Sequence, residues 1–361
     1  VLGGLDLGIP IGGPLWLRVI LWVCFFVAPL ATTTVLAEGL IRLVRPDWWV
    51  RSRRRDHVIV VGMGRFGTLL VEAIQREMPR KRILVVERDR RRATSVMARA
   101  HSGIEVLIGD IAHRSTLEEL CLDRAHSVAL MTENDLVNLE AAWDLIEMNP
   151  DLPAVIHVSN IGTLRKVENL ETAGAFHFFN SHRFAAQFLF EKVLMETFST
   201  TSGLDVVVIG GFGRFGQTIV ERLQRSGGGE LRKILLIDQD AERKAEVFAD
   251  EVGFGSEIEW ETIGADLSDP RTWKSVDRAI EAYPGVVSFV LGTDDDALNL
   301  RLAMAIRQRH PHATITLRCF HMSRFNQNLA ESLDLTLVSI EGLVRDAVEA
   351  HLLPHMGLVS G

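Results

Sequence analysis

A glycine-rich turn occurs twice in this chain, as "VVGMGRFG" (Val60–Gly67) and as "VIGGFGRFG" (Val208–Gly216). Such a turn demands a strand before it and a helix after it. In Gly62-Met63-Gly64-Arg65-Phe66-Gly67 the first glycine permits the tight turn out of the strand. The second lets backbone approach a diphosphate, and the third lets the helix pack on the strand. The pattern predicts a helix from Thr68, its N-terminal amides facing phosphate, with Arg65 adding a charge-assisted contact. Gly211, Gly213, Arg214, Phe215 and Gly216 repeat the arrangement, with Phe215 in the place of Phe66.

The match continues outward from both turns. "ILVVERD" corresponds to "ILLIDQD", "EVLIGDI" to "WETIGADL" and "VALMTENDLVN" to "SFVLGTDDDALN". The offset between copies is 149 at Gly62/Gly211, 151 at Glu87/Asp238, 156 at Asp110/Asp266 and 161 at Asn138/Asn299. It grows in stretches such as "SGGGELR" and "AYPG", and insertions confined to loops are what duplicated folds tolerate. A small polar linker, "STTSG", separates the copies, giving lobes at 57–199 and 203–354. In the first copy β-rich apolar runs at 58–61, 83–87, 104–108, 128–131, 155–158 and 176–179 alternate with amphipathic segments. Strands separated by crossover helices pair in parallel. The expected fold is α/β: two tandem Rossmann-type, doubly wound parallel sheets, preceded by one transmembrane helix.

An acid closes the second strand of each copy, Glu87 and Asp238, where a carboxylate accepts hydrogen bonds from ribose hydroxyls. These acids disfavour a 2′-phosphate, so NAD(H) or an adenine nucleotide (ADP or ATP) is expected, up to one per lobe. Arg88 and Arg90 to Arg92 work against that preference in the first copy unless they are a solvated charge run. Asp110 and Asp266 follow the third strand, near where an adenine would lie. Thr132 and Glu133, with Thr293 and Asp294, follow the fourth, at the carboxyl edge where open α/β sheets bind ligands. Plain turn and helix-cap chemistry, with "TEND" and "TDDD" serving as N-caps, is the competing reading of those four. Gly210 precedes the second triplet and could widen its turn, but no residue marks either copy as dead.

In front of both copies, "VILWVCFFVAPLATTTVLA" (19–37) has no charged residue. As a helix it would reach roughly 28 Å, about the thickness of a bilayer's hydrocarbon core. A span over 15–41 is expected, kinked at Pro29, whose freed carbonyls Thr32, Thr33 and Thr34 could re-satisfy. Arg42, Arg45, Arg51, Arg53, Arg54 and Arg55 follow it in a basic linker, 42–56. Positive charge after an apolar run does not suit a cleaved leader, and it puts the N-terminus outside and both lobes in the cytosol. Residues 1–14 form either an outer loop or a divergent pore lining in which Asp6 and Gly8 would take part.

The net charge of -8 argues against a nucleic-acid partner. Cys24, Cys121 and Cys319 have neither disulfide nor zinc spacing. His310/His312 and His351/His355 have metal-like spacing but no third ligand, so no metal site is expected. A dinucleotide-dependent dehydrogenase is the rival function. It needs a separate substrate domain and a proton-transfer residue, and the chain offers instead a second copy of the same unit. No catalytic residue is named and no enzyme is expected.

Apolar helix, arginine-rich linker, "VVGMGRFG", strand-two acid, "GD" and "TEND…N", in that order, resemble the RCK family, regulators of potassium conductance. The resemblance runs from Asp56 to about Leu353. It implies nucleotide-binding lobes that assemble as a cytosolic homo-oligomeric ring, usually of four subunits, gating a membrane pore or transporter. It also implies that helices following the sixth strand, at 183–198 and 341–353, cross to a partner lobe. The residues before the span are not the threonine-valine-glycine-tyrosine-glycine filter of potassium-selective pores. A ligand-gated cation channel subunit at the cell membrane is the function this resemblance implies. A membrane-anchored regulatory subunit of a separate transporter is the alternative.

Overall fold

The computed structural model describes residues 54–99, 103–168, 176–198, 205–226, 229 and 231–358, together with 14–16, 19, 23 and 27. Asp6, Gly8, Pro29 and most of the expected span lie outside the described residues. Leu15, Trp16, Val19, Val23 and Val27 are helical and exposed. Among the described residues no helix is long and apolar enough to cross a membrane.

Two six-stranded parallel sheets follow. In the first, β1 (His57–Val61), β2 (Arg82–Glu87), β3 (Ile104–Ile108), β4 (Ala125–Leu130), β5 (Ala154–His157) and β6 (Phe176–Phe179) lie in the order β3-β2-β1-β4-β5-β6. The second repeats it, with β7 (Asp205–Gly210), β8 (Leu231–Asp238), β9 (Glu259–Gly264), β10 (Val287–Leu291), β11 (Thr314–Cys319) and β12 (Thr336–Ser339) in the order β12-β11-β10-β7-β8-β9. The central strands are apolar at almost every position because both faces are covered. Val58 to Val61 and Val206 to Ile209 are all buried. The strand order reverses between β1 and β4, and between β7 and β10, which opens a crevice beyond their carboxyl ends.

The helices of the first lobe are α1 (Arg65–Glu77), α2 (Arg90–Arg99), α3 (Arg114–Glu119), α4 (Asp135–Met148), α5 (Ile161–Glu168) and α6 (Ser181–Leu189). The second lobe contributes α7 (Arg214–Ser226), α8 (Ala241–Glu251), α9 (Pro270–Ile280), α10 (Asp296–Arg309), α11 (Arg324–Ser332) and α12 (Ile340–Ala347). The helix after each glycine turn begins at Arg65 and Arg214, three residues before the expected Thr68 in the first copy, so the third glycine lies inside its first turn. Both α6 and α12 run on through a wide π-type turn, Phe190–Leu194 and Val348–Leu352.

These last two helices join the lobes. The α6 helix packs on α7 of the second lobe, α12 packs on α1 of the first, and the two pack on each other. Each lobe keeps an outer core of its own, around Val128 and Ile156 in one and Phe289 and Ile315 in the other. The inner faces share a third core. It contains Leu70 and Ile74 of α1, Ala186 and Leu189 of α6, Val220 and Leu223 of α7, and Val344 of α12. Ion pairs edge it on both sides, Arg76 with Glu349 and, at 3.2 Å, Arg222 with Glu191. Arg165 of α5 also reaches the buried Glu221 of α7 at 2.9 Å. Of the histidines with metal-like spacing, His351 and His355 serve this contact: His355 stacks on His177 of β6 at 3.8 Å, and His351 on Phe184 at 5.5 Å.

Because the inner core belongs to both lobes, Leu189→Ala, which empties a fully buried site in it, should cost about 2–5 kcal/mol. Calorimetry should show one transition for both lobes, shifted down as a whole. Two separately moving transitions would show that the lobes fold apart.

Candidate functional site

Each glycine turn carries out the backbone task its residues suggest. Gly62 and Gly211 have φ of +88° and +95°, a region that favours glycine. Their amides donate to the carbonyls of Val86 and Ile237, both at 2.8 Å, which pins the turn to the neighbouring strand. A Cβ on Gly67 would run into the carbonyl of Gly62, and one on Gly216 into that of Gly211. Gly64 precedes α1 without any side-chain cap, so the first amides of that helix are left for a ligand.

The strand-two acids hold the turns as well as facing the crevice. Glu87, buried at 7% exposure, accepts from the amides of Met63 at 2.8 Å and Asp89 at 2.9 Å. Asp238 accepts from Phe212 at 2.9 Å, Asp240 at 3.1 Å and the Lys244 ammonium at 2.6 Å. Partial burial opposes ionisation of Asp238. Lys244 and the two amides outweigh it and hold the carboxyl below its ordinary range. The third-strand acids lie beside them. Asp110 accepts from Ala112 at 3.1 Å and from Arg88 at 3.3 Å. Asp266 accepts from the amide and hydroxyl of Ser268 at 2.8 and 2.7 Å, and from Gln239 at 3.2 Å.

Thr132 and Thr293 line the crevices, but their hydroxyls bond to the fully buried Asn138 and Asn299 at 2.5 and 2.6 Å. Each asparagine then donates to a carbonyl of the fifth strand, His157 at 2.8 Å and Arg318 at 3.0 Å. This clamp ties the fourth strand to the fifth at the ligand edge. Capping falls to Asn134 and Asp295, so the capping chemistry of "TEND" and "TDDD" is real and belongs to their third residues.

The two crevices differ in extent. The first, about 410 Å³, is lined by Gly62, Gly64, Glu87, Arg88, Asp110, Thr132 and Glu133, with Arg92. The second, about 750 Å³, holds Gly211, Gly213, Arg214, Phe215, Asp238, Asp266, Thr293 and Asp294, and continues between the lobes to Arg65, Phe66, Glu133, His157, Ser159 and His182. Arg65 is not among the residues lining its own lobe's crevice. Its guanidinium lies 4.4 Å over the ring of Phe320 in the second lobe. Phe66 packs on His157 at 4.8 Å, and Phe215 is buried at 3% exposure.

Lys244, His157, His182 and Arg318 carry much of this geometry and were not singled out in the sequence. A charged or polar residue inside an apolar strand, as in "VIHV" and "TLRC", was the available signal for two of them. Arg318 is 5% exposed, donates to Thr293 O at 2.8 Å and pairs with Asp294 at 2.9 Å. Three arginines, Arg65, Arg214 and Arg318, therefore border one chamber together with Lys244 and the acids Glu133, Asp238, Asp266 and Asp294, so its lining carries charge of both signs.

The TrkA-N domain model matches residues 58–181 and again 207–335. Among curated proteins the chain is 25% identical over 115 residues to a Trk system potassium uptake protein TrkA homolog of Pyrococcus horikoshii. That match covers 32% of this chain and spans about half (49%) of the relative's length. Solved structures of the GsuK channel share the fold. The one bound to ADP has TM-score 0.63 at 18% identity, covering 94% of this chain and 81% of that one. The one bound to NAD has TM-score 0.62 at 14% identity, covering 94% and 73%.

Two of the site's and interface's histidines set an acid limit. Burial, with Arg318 and His157 nearby, pushes His182 down to about 3, and burial with His355 and His351 pushes His177 down to about 4. Both are neutral in the folded chain, and an unfolded histidine near 6.5 takes a proton more readily. Their contribution is therefore complete above pH about 6.5 and is lost as pH falls toward 4. The urea midpoint should drop between pH 7 and 5, above the carboxylate range, and the drop should shrink in His177→Phe.

Proposed function

The chain belongs to the TrkA-N domain family, and from that membership we propose that it is the nucleotide-sensing regulatory region of a potassium channel subunit. The observation that carries this reading is the paired seat. Two glycine turns stand at the carboxyl edge of parallel sheets, each braced by an acid placed for a ribose, and the helix after the first has no side-chain cap among the described residues. Relatives of this fold were solved with ADP and with NAD, and both ligands present a diphosphate to such a turn. The cofactor is accordingly NAD(H) or ADP/ATP. The first lobe's crevice and the larger chamber both fall within the volume range of small-molecule sites.

Regulation follows from how the lobes are joined. A ligand in the chamber touches both lobes, so it favours one relative arrangement of them over another. Only such differential affinity can shift a conformational equilibrium, and about 1–3 kcal/mol per site gives sizeable modulation. The output end lies just before β1. Asp56 pairs with Lys81 at 2.8 Å and His126 at 2.9 Å, and His126 also bonds the carbonyl of Gly357 at 3.2 Å, beyond α12. The end of the second lobe is thereby tied to the residue at which the chain from the arginine-rich linker enters the first lobe. The apolar run at 19–37 supports a membrane attachment through that linker, with a ring of four chains as the assembly.

The curated relative is named for potassium uptake, which favours a second reading, a regulatory subunit acting on a separate transporter. Ion flux from vesicles that contain the purified full-length protein alone distinguishes the two. Nucleotide-dependent potassium flux supports the channel, and its absence supports the regulatory subunit.

The nucleotide reading is tested at the acids. Asp238→Ala removes hydrogen bonds from a charged acceptor, each worth about 1.5–3 kcal/mol. ADP affinity at the second lobe should fall by about tenfold or more. Unchanged ADP binding by calorimetry would remove Asp238 from the site.

A further inference from the structure

Over the second glycine of the turn, the two lobes differ. A Cβ on Gly64 would stand 3.5 Å from Glu133 Oε1 and 3.9 Å from its Cγ, so the Glu133 side chain covers the place where a diphosphate would approach. A Cβ on Gly213 would meet nothing within 4 Å. The residue that matches Glu133 is Asp294, one methylene shorter, and Arg318 draws its carboxylate aside at 2.9 Å. Where the second lobe has Arg318 the first has His157. Its Nδ1 faces Thr132 O at 3.4 Å and its ring packs on Phe66, leaving Glu133 without that restraint.

The space beyond the glycines differs in the same sense. From the second lobe's seat the cleft passes the strand-order reversal and enters the chamber between the lobes. His182, Arg318 and His157 line the chamber, and their Nδ1, Nε and Nε2 atoms, closed off from solvent in this arrangement, have no hydrogen-bond partner among the described residues. His182 belongs to the first lobe and Arg318 to the second, so the unpaired groups converge from both sides. Polar side chains contributed by both lobes suit the polar far half of a ligand that crosses the reversal point. The first lobe's crevice stops at Glu133 and Val137 and does not include these residues.

We propose that the two lobes read ligands of different length: the second takes a dinucleotide whose far half occupies the inter-lobe chamber, the first takes an adenosine mononucleotide, and Glu133 sets the difference. The proposal rests on the nucleotide reading above. A dinucleotide threads its diphosphate across both glycines, which the second lobe leaves open. In the first lobe the same path brings two phosphates against a carboxylate, whereas a mononucleotide can place its single phosphate at the first amides of α1 and stop short.

Calorimetric titration of the full-length protein with AMP and with NAD⁺ tests this. AMP should bind the wild type at both lobes and NAD⁺ at one. Asp238→Ala should weaken NAD⁺ about tenfold or more while one AMP site persists, which also reports that the variant is folded. Adding Glu133→Ala to that variant should restore NAD⁺ binding, now at the first lobe. The proposal is overturned if NAD⁺ fills both lobes of the wild type, survives Asp238→Ala unchanged, or fails to return in the double variant. Binding of neither AMP nor NAD⁺ to the wild type would instead sink the nucleotide reading itself.

Discussion

Two helices cross between the lobes, and their apolar faces belong to one core. Leu189 of α6 and Val344 of α12 are both fully buried in it, and each of these helices packs on a helix of the other lobe. A helix whose apolar face ended at its own lobe would leave that face in water, at about 25 cal/mol per Å². Exchange of the two helices removes the exposure on both sides at once. It also means that the lobes cannot drift as independent bodies. Their relative motion is confined to small slides and rotations over a packed surface, the kind of contact that has discrete alternatives.

The chamber exists because of that exchange. α1 and α7, which start at the glycine turns, are also the helices that receive α12 and α6. The turns are thereby brought to the lobe boundary, and side chains at their second variable positions face the opposite lobe. Arg65 reaches Phe320, and Arg214 borders both the chamber and a shallow crevice beside Glu133 to Leu139. A ligand seated at a turn therefore lies on the same element that carries the inter-lobe contact. Binding and lobe arrangement share a few residues, so no long pathway is needed between them.

Duplication, the alternation of strands and helices and the glycine turns were all legible in the sequence, because each has a local signature. Glycine spacing, apolar runs of strand length and the acid after the second strand depend on neighbours close in the chain. The asymmetry between the lobes was not legible. It depends on Arg318 holding Asp294 across 24 residues, and on His157 in the matching place, a pairing that needs the fold to be seen. Arg65 is the clearest case. Its motif places it beside its own phosphates, but the swapped helices turn its lobe boundary toward Phe320, and the cation settles over that ring. The Thr132 and Thr293 hydroxyls make the turn bonds expected of their motifs, to Asn134 and Asp295, and in addition a clamp on Asn138 and Asn299 that only the fold reveals.

Two copies of one sensor would be redundant if they answered alike. They are held by one core, so any ligand that moves one lobe must also work against the packing of the other. Under that coupling, a ligand seen by only one lobe still biases both, and a ligand seen by the other lobe adds to or opposes the same motion. The Asp56–His126–Gly357 connection puts the sum of those biases at a single place, the entrance to β1. Divergence after duplication would then be favoured wherever the two inputs differ in meaning. Under the proposal above, a change of one methylene at Glu133/Asp294, with a cation to hold the shorter acid aside, would be enough to begin it.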